Sequence, residues 1–193
     1  MRIVAGSLRG KIIQAPKGEG TRPTIDRVRE SLFSSLFSYF GGFQDVHVLD
    51  AFAGSGALGL EAVSRGAATA VFYEADPHAA KVVERNIADC RLSAPQCILR
   101  RADVLLAPPL RPRHPFDLVL LDPPYATDPA LVFDLLDRLD AAGALSADVM
   151  VCYEHAVGTD LAPFAQQAQT GWELHNSRKY GKTMVSYFRK ELK

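Results

Sequence analysis

VHVLDAFAGSGALGLEA, residues 46–62, runs from a short apolar segment through a glycine-rich turn into a stretch of good helix formers. Gly54, Gly56 and Gly59 spell GxGxxG at that turn. Glycine there lets backbone N–H groups approach a ligand closely, at a helix N-terminus whose dipole favours negative groups. A strand, a glycine turn and a helix in this order read as a nucleotide- or nucleoside-binding unit rather than as a structural turn alone.

The pattern on either side supports that reading. VHVLDAF, AVFYEAD, CILRRAD, FDLVLLD and DVMVCYE are five short apolar runs, each ending near an acidic residue. Helix-like stretches fall between them around 57–65, 77–91 and 129–140. Such alternation implies an α/β protein with a mostly parallel sheet and helices on both faces. The tail departs from it: WELHNSRKYG and TMVSYFRKEL are extended segments joined around Gly181, an antiparallel hairpin at the sheet edge. At the other end, IVAG, SLRG and KIIQA alternate loosely around Gly6 and Gly10 and predict a small β-hairpin. After PKGEGTRP, Thr24 is placed to cap a helix with apolar positions Ile25, Val28, Leu32 and Leu36, ending near Tyr39. Residues 1–23 therefore read as a hairpin arm and linker, and 24–193 as the main domain.

Composition narrows the class. With 193 residues, 48% hydrophobic and 23% charged, the chain has the length and composition of one soluble domain. No apolar run reaches the roughly 18 to 20 residues of a membrane span, and MRIVAGSLRG lacks a signal peptide's apolar core, so a cytoplasmic location is expected. Cys90, Cys97 and Cys152 form no CxxC pair, and the five histidines form no ligand motif, so no metal is expected. The net charge of zero hides a segregation. Residues 1–30 carry seven Lys/Arg against three Asp/Glu and residues 176–193 carry six against one, so the middle carries the compensating negative charge. Two basic ends are a footprint for a polyanion such as nucleic acid.

The acids around the glycine turn indicate which ligand it takes. Glu74, twenty residues beyond Gly54, is placed to accept hydrogen bonds from ribose hydroxyls. Ala51, Phe52 and Ala53 separate VLD from the first glycine, which puts Asp50 in the loop. A carboxylate there repels a pyrophosphate and suits an ammonium or sulfonium, as in the methionine half of S-adenosylmethionine. Asp103, closing the third strand, is placed to accept from an adenine amino group.

DPPY, residues 122–125, follows the apolar run of the fourth strand, where two prolines can extend neither a helix nor a ladder. With DAFAGSGALGLEA, YEAD and RAD, it resembles the S-adenosylmethionine-dependent methyltransferases that modify exocyclic amino groups of nucleobases. With RPTIDRVRESLF and RKYGKTMVSYF added, nearly the whole chain is similar to the RsmD family, which methylates N2 of one guanine in 16S ribosomal RNA. The resemblance implies the Rossmann-like class I methyltransferase fold, with a mostly parallel seven-stranded sheet, a C-terminal antiparallel hairpin and a small N-terminal β-hairpin extension.

The chemistry accounts for the tetrad. The lone pair of a base amino nitrogen is delocalised into the ring, so it is a poor nucleophile. Two acceptors aimed at its N–H bonds, the Asp122 carboxylate and the Pro123 carbonyl, hold it with the lone pair towards the methyl carbon. Pro123 and Pro124 stiffen the loop, and Tyr125 offers a stacking face worth about 1–3 kcal/mol for an extruded base.

The implied cofactor set is Asp50, Ala53, Gly54, Ser55, Gly56, Glu74, Ala75, Asp103 and Val104. The implied RNA contacts are Arg22, Arg27, Arg29, Lys179 and Lys182, the three arginines being candidates for phosphate contact or for pairing with the cofactor carboxylate, since the RPTIDRVRE segment closes over the methionine end of the cofactor and faces RNA. Arg27 and Arg29 lie about 200° apart on a helix, so they do not share one task. The implied partner is 16S rRNA within the small ribosomal subunit or an assembly intermediate, and a monomer is the default. A DNA amino-methyltransferase with the same tetrad is the alternative within the class, disfavoured by the lack of a sizeable target-recognition insertion. A nicotinamide-dependent oxidoreductase on a Rossmann sheet and a catalytically silent RNA-binding module are the alternatives outside it.

Overall fold

The computed structural model describes residues 1–16 and 23–191, with the backbone alone for residues 23–25. Arg22 and most of PKGEGTRP lie outside the described residues. In chain order the elements are α1 (Pro23–Phe40), β1 (His47–Asp50), α2 (Ala57–Ser64), β2 (Thr69–Tyr73), α3 (Pro77–Asp89), β3 (Cys97–Arg100), β4 (Phe116–Leu121), α4 (Pro129–Ala141), β5 (Leu145–Ala156), α5 (Ala162–Gln167), β6 (Trp172–Tyr180) and β7 (Thr183–Lys190). The strands form one seven-stranded sheet in the order β3-β2-β1-β4-β5-β7-β6. Neighbours among β1 to β5 are parallel, and β7 runs antiparallel between β5 and β6.

Alternation along the strands divides the core in two. Val48, Leu118, Leu120, Met150 and Cys152 face one side with Phe33 and Leu36 of α1, Leu60 of α2 and Val83 of α3. Leu49, Val119, Leu121, Val151 and Tyr153 face the other, against α4 and α5. Burial on both faces is why these strands read as continuous apolar runs. Helix starts follow local chemistry: Pro77 and Pro129 occupy first-turn positions, and Asp76 and Asp128 accept backbone N–H bonds as caps. Helix α1 starts one residue before the expected cap, with Pro23 in its first turn. Six-residue α5 was not foreseen, because LAPFAQQ is too short to display a helical period.

The N-terminal hairpin closes through one antiparallel bridge, Arg2 to Ile12, and the Ile3 N–H to Lys11 carbonyl bond of 3.0 Å. It lies against the body of the protein. Ile3 and Ile13 are buried in the core of α1 and α2, and the Glu61 carboxylate accepts the Val4 and Ala5 N–H groups at 2.8 and 3.0 Å.

From β1 the chain winds to β2 and β3 on one side, then returns to place β4 on the other side of β1. This reversal opens a crevice outside the carboxyl ends of β1 and β4, the usual ligand position in a doubly wound sheet. The glycine turn follows β1 and DPPY follows β4.

Candidate active site

The glycine turn is held by a carboxylate from the next strand. Glu74, one residue beyond β2, accepts the Gly54 N–H through Oε2 at 2.7 Å and the Asp76 N–H through Oε1 at 2.8 Å. Gly54 adopts φ 55° and Gly56 φ 77°, conformations that L side chains rarely take. The two differ in what surrounds them. A Cβ on Gly54 would meet nothing within 4 Å, whereas one on Gly56 would come within 3.2 Å of Val83. Gly59 is tighter still, with Phe72 at 2.3 Å and the Asp50 Oδ2 at 3.0 Å from its Cβ position. The first glycine thus leaves open space over the crevice, and the third lets α2 pack on the sheet.

Asp50 requires a correction. It closes β1 instead of lying in the loop, is 1% exposed, and accepts the Gly59 N–H through Oδ2 at 2.9 Å. The cap position of α2 is Gly56, which has no side chain, so Asp50 supplies an acceptor that the helix start lacks. Burial raises the Asp50 pKa to about 7, opposed by the Gly59 bond and reinforced by the Glu74 charge. A cation in the crevice would favour its ionised form.

The remaining predicted cofactor residues sort by exposure. Ala53 and Ser55 are buried in the turn, and the Ser55 carbonyl accepts from Asn86 at 2.8 Å. Ala75 is exposed beside Glu74. Asp103 lies three residues beyond β3 rather than closing it; it is half-buried, and its Oδ1 accepts the Leu105 N–H at 2.9 Å. The Val104 side chain is 1% exposed in the α4-side core, so only its backbone can meet a ligand.

DPPY emerges from β4 with Asp122 and Pro124 exposed and Pro123 buried. Tyr125 is 64% exposed, and its hydroxyl lies 3.1 Å from Thr183 Oγ1 at the start of β7. The tip of the basic hairpin is therefore tied to the DPPY loop, with Lys179 and Lys182 exposed close by in sequence. The hairpin is also tied to α1, because Tyr180 Oη lies 2.7 Å from Ser31 Oγ. Arg27 is exposed on α1.

Arg29 overturns its expected RNA role. It is 2% exposed, pairs with Asp26 at 2.7 Å and with the fully buried Glu61 at 3.5 Å, and donates to the Arg2 carbonyl. A guanidinium enclosed by carboxylates of its own chain cannot reach a phosphate.

Two residues that hold the site escaped the sequence reading. Glu61 accepts from the N-terminal hairpin and pairs with Arg65 at 2.8 Å. Asn86 joins Gln14 to the glycine turn: its Oδ1 accepts the Gln14 N–H, and its Nδ2 donates to the Gln14 and Ser55 carbonyls. Signals for both exist. Glu61 is the single charge in ALGLEAVS, and Asn86 falls on the buried stripe of Ala79 and Val83 in α3.

A sheet of this order, with a glycine turn after β1 and DPPY after the adjacent β4, defines a Rossmann-like class I methyltransferase fold. A family model described as "Conserved hypothetical protein 95" matches residues 1–189. Ribosomal RNA small subunit methyltransferase D of Escherichia coli (strain K12) is 32% identical over 191 residues, spanning 99% of this chain and 90% of that protein. The putative rRNA methyltransferase YlbH of Bacillus subtilis (strain 168) is 34% identical, spanning 98% of this chain and 99% of that one. Among solved structures, the putative methyltransferase yhhF from Escherichia coli is similar with a TM-score of 0.79 at 30% identity, covering 100% of this chain and 99% of that chain. The chain belongs to the RsmD family.

Proposed function

We propose that the protein transfers a methyl group from S-adenosylmethionine to the exocyclic N2 of a guanine in 16S rRNA, acting on the small ribosomal subunit or an assembly intermediate. The observation that carries this reading is the meeting of two motifs at one crevice: the Gly54–Glu74 turn and the Asp122–Tyr125 loop follow adjacent parallel strands.

The residues present fit the cofactor. Gly54 leaves the space open where a side chain would intrude, Glu74 is pinned by two backbone N–H groups with acceptor capacity to spare, and buried Asp50 favours a nearby cation. Bound there, S-adenosylmethionine supplies an electrophilic methyl group on a positively charged sulfur. Asp122 and the Pro123 carbonyl orient the amino nitrogen by accepting its two N–H bonds, Tyr125 stacks the extruded base, and the proton left on nitrogen passes to Asp122 or to water. Exposed Arg27, Lys179 and Lys182 hold phosphates. Residues 1–23 serve as an arm and linker to the domain formed by 24–193.

Asp122→Ala is expected to abolish methylation while cofactor affinity by calorimetry stays within a few-fold of the parent. Turnover at the parental rate overturns the assignment.

A further inference from the structure

Glu154 is a carboxylate to which the reaction as described assigns no task. It lies near the carboxyl end of β5, and the parallel register ends by pairing Leu121 with Tyr153, so its continuation by one residue sets Asp122 beside Glu154. Adjacent strands lie about 4.8 Å apart, a spacing that one base edge can bridge. Tyr153 and His155 meet ring to ring on one face of β5 at 5.6 Å. Alternation therefore turns Glu154 to the opposite face, that of Cys152 and Tyr187, where α1 also packs. At this strand end Glu154 also borders a recess with Pro123 and Tyr125, which Tyr153, His155 and Pro129 line from the other face.

Glu154 is half-buried. Burial raises its pKa, so a donor arriving with the substrate would be favoured. Guanine presents adjacent donors, N1–H and the N2 amino group, on one edge. Adenine presents an amino group beside an N1 acceptor, which a carboxylate repels. DPPY alone holds an exocyclic amino group of either base, so discrimination needs a second group next to it.

We infer that Glu154 reads the guanine N1–H, accepting it while Asp122 holds the N2 amino group. The inference rests on the guanine-N2 reading above and adds to it a specificity-determining residue.

Small subunits reassembled with 16S RNA carrying either guanine or 2-aminopurine at the methylated position provide the test. 2-Aminopurine keeps the amino group and turns N1 from donor to acceptor. The parent is expected to prefer guanine in kcat/KM by about 10- to 100-fold. Glu154→Gln, whose amide offers a donor as well as an acceptor, is expected to narrow that preference to a few-fold, with parental cofactor affinity by calorimetry. Equal use of both bases by the parent, or an unchanged preference in Glu154→Gln, overturns the role of Glu154. A parent that methylates neither base overturns the guanine-N2 reading instead.

Discussion

The two basic ends of the chain look alike in sequence, but among the described residues only the N-terminal one buries a cation. At the N-terminal end one cation is turned inward while Arg2, Arg9, Lys11 and Arg27 stay exposed. Arg29 is buried between Asp26 and Glu61, and Arg2 lies 4.0 Å from Asp26. At the C-terminal end, β6 is exposed from Glu173 to Lys179, and Lys182 is exposed at the turn. The ion pairs of that hairpin, Arg189 with Glu173 and Lys190 with Asp140, lie at its far end from Tyr125. The two ends thus differ in one cation: Arg29 fastens the arm to the core, whereas Lys179 and Lys182 are presented to solvent near the DPPY loop.

The largest expected effect is on stability and separates the buried cation from an exposed one. Arg29→Ala leaves the Glu61 carboxylate buried with Arg65 as its remaining cationic partner, and is expected to cost about 3–5 kcal/mol in chemical denaturation. Arg27→Ala, two residues away and exposed, is expected to cost less than about 0.5 kcal/mol. Equal losses would break the distinction.

Next in size is the response of buried charge to pH. The Asp50 pKa is raised in the fold, to about 7 from an ordinary 3.8. Between these values the folded state holds a proton that the unfolded chain has released, so this contribution to stability is lost as pH rises through the window. Asp50→Asn is expected to remove that part of the slope in denaturation series from pH 4 to pH 8, and to weaken cofactor binding at pH 8. An unchanged slope would show that Asp50 is not the titrating group.

The smallest effect belongs to the outward-facing end. Lys179→Ala with Lys182→Ala is expected to leave stability unchanged and to reduce the salt slope of RNA binding by about 2, one unit for each phosphate contact. An unchanged slope would take the hairpin out of the RNA interface.

The architecture was legible because its signals are local. Apolar runs and the glycine turn each declare themselves within a few residues, and Gly181 marked the terminal hairpin. The two carboxylate partners of the site were legible in part. Glu74 stands where the spacing put it, while Asp50 was read into a loop because its buried bond to Gly59 depends on how α2 packs on the sheet. Arg29 was misread for the same reason: the partner that buries it, Glu61, is distant in sequence. Its neighbour Arg27 faces outward, as a 200° separation on one helix requires. The glycines show the limit most clearly, since GxGxxG gives no sign that its first position leaves open space and its third meets the Phe72 ring.

The most direct test of the proposed reaction is identification of the product. The purified protein, tritiated S-adenosylmethionine and small ribosomal subunits from a strain lacking the family enzyme are incubated together, and the RNA is digested to nucleosides. The account predicts label in N2-methylguanosine, absent with Asp122→Ala. Label in another nucleoside, or N2-methylguanosine formed equally well by Asp122→Ala, would contradict it.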